Sequence, residues 1–142
     1  CDPKLSDAQC CNQIPTNYQG LFIIGGATAG GTVMCCQGRK ITCIANKYTS
    51  GDPSIAIIGK CIEEHERKHF DHVGECPSNC SAFLMTHQGD ADHNECEAYA
   101  VEINCLRRRI QECGSNTLCR VRINAEISAT RQTGKNQYGC SL

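Results

Sequence analysis

His65-Glu66-Arg67-Lys68-His69 sets two imidazoles four residues apart, with a carboxylate directly after the first. On a helix both histidines fall on one face and can reach a common metal ion, which leaves Glu66 beside the place where water would be activated. That is the donor set of a zinc hydrolase. Zn2+ would polarise a scissile carbonyl and acidify water, while Glu66 would act as general base without being a ligand. Two histidines do not suffice, because a catalytic zinc takes three protein ligands and keeps its fourth position open.

The third ligand is to be sought downstream. Asn94-Glu95-Cys96-Glu97-Ala98-Tyr99 opens a second helical stretch, and a returning helix could present a carboxylate to the first. An HExxH motif followed on a later helix by Glu-x-x-Ala resembles the gluzincin arrangement. In integral-membrane and ImmA-like zinc peptidases the ligand is the Glu three residues before Ala, which here is Glu95 before Ala98. Asn94-Glu95 and Glu102 are similar to the Asn-Glu pair and trailing Glu of thermolysin-like and related aminopeptidase families. The resemblance therefore implies His65, His69 and Glu95 as metal ligands, with Glu97 and His72 as the alternatives for the third. Residues 61–106, a third of the chain, also resemble the cysteine-rich HExxH domains at the C-termini of bacterial polymorphic (Rhs or type VI) toxins. That likeness implies a toxin or effector domain and an immunity or inhibitor protein as partner.

A metzincin pattern is excluded, since His72 and Glu75 stand where it needs Gly and His or Asp. Stabilising a tetrahedral intermediate calls for a further donor. Tyr99, His87, His93 and Tyr138 are available, and Tyr99 is carried forward as the catalytic candidate beside Glu66. No GxSxG elbow is present.

Elements must hold these groups in place. Asp52 can cap a helix with Pro53 at its first position, and Ile58, Ile62, His65 and His69 continue at helical spacing, so an apolar stripe runs into the two histidines. Gly59 is the weak point inside that helix. Upstream, Gly20 to Ile24 reads as a short buried strand. The glycine-rich stretch Gly25 to Gly31 lacks the spacing of a phosphate-binding loop and reads as a flexible connector. Thr32 to Cys36 and Lys40 to Ala45 suggest a hairpin, with Lys40 to Ala45 placed where zincins carry the strand that runs antiparallel to a bound peptide. Val73 to Ala91 reads as a long loop pinned at Cys76 and Cys80. A helix is expected from Asn94 to Glu112, ending at Gly114, with Glu95, Ala98, Glu102 and Cys105 on one face. A third is expected from Asn116 to Arg131, with Leu118, Val121 and Ala125 on its buried side.

With 142 residues, no repeat and no low-complexity tract, the chain is read as one domain, residues 1–142. A formal net charge of −1 supplies no field for nucleic acid or an anionic membrane, and Arg107-Arg108-Arg109 is read as an offset to a helix dipole. Fourteen cysteines without a single C-x-x-C point to disulfides in an oxidising compartment, extracellular or periplasmic, rather than to cysteine-zinc sites.

The expectation is a disulfide-stapled α+β domain: N-terminal strands with a hairpin, an active-site helix and two further helices, forming a minimal zincin. It would act as a secreted monomeric zinc endopeptidase on protein or peptide, with no nucleic-acid or membrane partner. Two alternatives stand beside it. One is a noncatalytic disulfide-rich binding or inhibitor module, and the other a zinc amidase acting on peptidoglycan.

Overall fold

Asp52 secures the start of the central helix: its carboxylate accepts from the backbone N–H groups of Ser54 and Ile55, and Pro53 brings the φ angle of the first helical position. In a computed structural model describing residues 1–142, this helix is α2, Pro53–Lys68, followed by a 3-10 turn at His69–Asp71. Around it the chain places α1 (Asp7–Cys11), β1 (Phe22–Ile24), β2 (Ala27–Ala29), β3 (Gly31–Cys36), β4 (Arg39–Ile44), β5 (Ala82–Leu84), α3 (Ala91–Arg109) and α4 (Thr117–Tyr138). The α+β class expected from the sequence is the one observed.

The face of α2 that carries Ile57, Ile58, Cys61 and Ile62 packs against Ile103 and Leu106 of α3 and Ile123 and Ile127 of α4. A Cβ at Gly59 would collide with the Tyr48 carbonyl oxygen, so the glycine is where the preceding turn lies directly on the helix. The helix α3 is capped by Asp90, whose carboxylate accepts from Asp92 and His93 N–H.

The buried stripe of α4 differs from the expected one. Leu118 and Val121 are each 58 % exposed and Ala125 faces solvent; Cys119, Ile123, Ile127, Thr130 and Gly134 are buried instead. The Cys113–Cys119 bridge explains the rotation, since it draws Cys119 inward and the positions at helical spacing after it follow.

The glycine-rich stretch is a hairpin and not a loose connector. Gly25 and Gly26 both have positive φ, +58° and +82°, the combination a two-residue type I′ turn requires, and β1 and β2 pair antiparallel across it. The second expected hairpin is present as β3 and β4, turning at Gln37 and Gly38, also with positive φ. The stretch read as a loop from Val73 to Ala91 contributes β5, which adds to the other side of β3 to give the order β4-β3-β5. Beneath the strands lies a second core of Ile14, Phe22, Met34 and Ile41 with the half-cystines of α1, β3 and β4.

All fourteen cysteines are paired, as Cys1–Cys80, Cys10–Cys36, Cys11–Cys43, Cys35–Cys76, Cys61–Cys105, Cys96–Cys140 and Cys113–Cys119. None is left to bind metal as a thiolate. The pins expected at Cys76 and Cys80 are real and tie the 73–91 segment to β3 and to Cys1. No helix is long and apolar enough to cross a membrane.

Candidate metal centre

The end of α2 meets the first turns of α3, and further along the same helix pair Cys61–Cys105 joins the two covalently. From α2 come His65 and Glu66, with His69 as its C-cap; from α3 comes Glu95. His65 Nε2 lies 3.2 Å from His69 Nε2 and 3.4 Å from Glu95 Oε2, and His69 Nε2 lies 3.1 Å from Glu95 Oε1. Donor atoms sharing one tetrahedral ion at bonds of about 2.0–2.1 Å must stand roughly 3.3 Å apart. These separations already have that size, with each nitrogen approaching a different oxygen of Glu95, and the two nitrogens and one carboxylate could hold a metal ion. Glu97, two residues further along α3, faces away and meets His93 at 2.8 Å and Lys68 at 3.5 Å.

The surroundings favour a cation. Glu66, Glu95 and Glu102 all converge on His65. Burial alone would lower the pKa of this imidazole, yet the carboxylates of Glu102 and Glu95 overcome it and raise the pKa to about 10. Glu95 shows the reciprocal effect: burial would raise it, but hydrogen bonds from His65 and His69 hold it below the usual carboxylate range. Glu66 is raised, with burial as the main cause and the two histidines opposing it. A site that stabilises an imidazolium so strongly offers the same electrostatics to a metal cation.

Each of these two histidines has a partner behind it. Glu102 Oε1 stands 2.8 Å from His65 Nδ1, off the line of an ideal hydrogen bond, while Thr130 Oγ1 donates to Glu102 Oε2 at 3.4 Å. His69, only 1 % exposed, has its Nδ1 3.0 Å from Nδ1 of His72. His72 is buried at the end of the 3-10 turn.

A cleft of about 560 Å³ opens over the three donors and Glu66. One wall is the segment from Ala27 to Thr32, and the other is the α4 face with Ala129, Thr130 and Thr133. The strand expected along a substrate, Lys40 to Ala45, does not line it; β3 occupies the centre of the sheet, and β2 with the start of β3 forms the rim. Gly31 makes this possible, because a Cβ there would lie 2.8 Å from Ile62 Cγ2 and 2.9 Å from Glu66 Cγ.

Of the four residues considered for stabilising an intermediate, three border the cleft. Tyr99 stands edge-on to His65 with ring centroids 4.8 Å apart, Tyr138 lies beside Tyr99 at 5.8 Å, and His87 stacks over His69 at 4.0 Å. The Tyr99 hydroxyl is held protonated well above its ordinary range by burial, then by Tyr138 and nearby carboxylates. His93 is outside the cleft, exposed, and paired with Glu97. Glu126, which no motif singles out, also borders the cleft. Burial raises its pKa, with Glu102 adding to the shift.

Compared with known proteins, the chain matches no family model, no curated protein and no solved structure.

Proposed function

We propose that this chain is a secreted zinc metallopeptidase of gluzincin type, with His65, His69 and Glu95 holding the ion. The observation that carries the reading is the gathering of His65 Nε2, His69 Nε2 and the Glu95 carboxylate, at separations of 3.2, 3.4 and 3.1 Å, beneath an open cleft with the Glu66 carboxylate beside them. Zinc suits an N, N, O donor set and, when bound, supplies Lewis-acid polarisation of the scissile carbonyl and acidification of water.

The chain's own residues do the rest. Glu66, buried and shifted towards neutral pH, takes a proton from the attacking water and passes it to the leaving amine. Tyr99 stays protonated and donates a hydrogen bond to the oxyanion of the tetrahedral intermediate. Glu102 orients His65 through Nδ1. β2 has a strand partner on one side only and borders the cleft, so an extended peptide can add along it and deliver its carbonyl to the site. Seven disulfides fit an oxidising compartment, in keeping with secretion.

The test is metal content by mass spectrometry on wild type and Glu95→Ala, each purified without metal-affinity resin, together with hydrolysis of casein and of purified cell wall. One zinc per wild-type chain, lost in Glu95→Ala, and casein cleavage support the proposal. Cleavage of cell wall alone moves the substrate to a peptidoglycan amide. No zinc after reconstitution leaves a disulfide-rich binding module as the better description.

A further inference from the structure

A histidine that binds a metal through one nitrogen carries its proton on the other, and what accepts that proton's hydrogen bond fixes both the tautomer and the ring plane. For His65 that acceptor is a carboxylate, Glu102. For His69 no carboxylate or backbone carbonyl is in reach; the group that meets its Nδ1 is the Nδ1 of His72, at 3.0 Å.

We infer that His72 is the positioning residue for His69, acting as a neutral hydrogen-bond acceptor. The inference rests on the metal reading of the site. If His69 uses Nε2 towards the ion, as the approach of that nitrogen to His65 Nε2 and Glu95 requires, its Nδ1 bears hydrogen and donates. His72 Nδ1 must then accept, which leaves the hydrogen of His72 on Nε2. That nitrogen points towards Glu97 Oε1 at 3.7 Å, a carboxylate already anchored by His93 at 2.8 Å and Lys68 at 3.5 Å. The order is therefore ion, His69, His72, Glu97, with each hydrogen directed outward.

His72 is held for this task from its backbone. Its N–H donates to the His69 carbonyl at 2.9 Å, its carbonyl accepts from Gln88 N–H at 2.6 Å, and Asn94 Nδ2 fixes the Gln88 carbonyl at 2.7 Å. Charge explains why an imidazole serves here. Glu66, Glu95 and Glu102 already gather around His65 where a dication would sit, and a fourth carboxylate behind His69 would leave the buried site with excess negative charge.

Two measurements test this. In zinc-loaded wild type, long-range proton–nitrogen NMR of the imidazoles reads the tautomers without any substitution. Hydrogen on Nδ1 of His69 and on Nε2 of His72 is expected, and hydrogen on Nδ1 of His72 overturns the inference. Zinc affinity, measured by competition with a chromophoric chelator, should fall about 10–100-fold in His72→Leu. It should recover most of that loss in His72→Asn, whose Oδ1 can accept where Nδ1 did. Equal affinity in wild type and His72→Leu overturns the role of His72 while leaving the metal site intact. No zinc bound by wild type overturns the metal reading and the role of His72 with it.

Discussion

Glu66 sits where burial penalises its charge and two histidines partly restore it, and the balance leaves its pKa above that of a solvated glutamate. A base raised towards the working pH is better matched to shuttling a proton. Glu66→Gln should therefore keep the zinc and lose turnover by roughly 10²–10⁴-fold, read as zinc content and kcat on one preparation. His65 gives a pH prediction for the zinc-free protein. Its folded pKa of about 10 exceeds the ordinary value of 6.5, so its contribution to stability is complete below 6.5 and is lost as pH rises through 10. The Tm of zinc-free protein should fall between pH 7 and pH 10, and Glu102→Gln, which removes the main partner, should flatten that fall; a slope unchanged by the substitution counts against the assignment. At this scale His65, Glu66 and His69 were marked by spacing, and Glu95 was picked out over Glu97 by the gluzincin resemblance. Glu102 was visible as a residue on the Glu95 face but not as the partner of His65, because facing side chains on separate helices leave no local pattern. His72 was harder to read. Three residues beyond His69 it shares a helix face with that residue, and spacing alone does not tell a ligand from a hydrogen-bond partner.

Elements are constrained by close approach as much as by apolar stripes. Gly59 looked like a flaw in α2, since glycine costs about 1 kcal/mol relative to alanine inside a helix. Its contact with the Tyr48 carbonyl reverses the sign, and Gly59→Ala should lower Tm in thermal unfolding despite the better propensity. Gly31→Ala should lower both Tm and kcat, because its Cβ would press on the core side chain of Ile62 as well as on Glu66; thermal unfolding and kcat on one preparation read the two effects. The α4 stripe makes a sharper contrast. Ile123→Ala should cost about 2–5 kcal/mol in denaturant unfolding, whereas Leu118→Ala should stay within roughly 0.5 kcal/mol. The sequence pointed to the wrong stripe because Leu and Val compete with Cys119, Ile123 and Ile127 for the same periodicity. The deciding cross-link to Cys113 is a tertiary fact. The glycine-rich hairpin was misread for a related reason: its strands are three residues each, too short to show alternation.

Across the molecule, the cross-links divide into two sets. Cys1–Cys80, Cys10–Cys36, Cys11–Cys43 and Cys35–Cys76 bind the N-terminal segment and strands, and Cys61–Cys105, Cys96–Cys140 and Cys113–Cys119 bind the helices. An even cysteine count announced this framework but not its pairing, which many connectivities would satisfy. A bridge closing 44 residues, such as Cys61–Cys105, restricts the unfolded chain by about 4 kcal/mol on the loop-entropy estimate. Replacing both cysteines by alanine should lower the unfolding midpoint and also weaken zinc binding, whereas the same replacement at Cys10–Cys36, far from the donors, should lower the midpoint alone.

The Cys61–Cys105 bridge has a further consequence. Because a covalent link joins the two ligand-bearing helices, ordering of the donors does not wait for the ion. A zinc finger is a coil until it is charged; this scaffold is a finished receptacle. Stripping the ion with a chelator should leave the far-ultraviolet circular dichroism unchanged, and reloading should show almost no heat-capacity change. On the proposed reading, the supply of the ion, not the folding of the chain, would set when the site is filled.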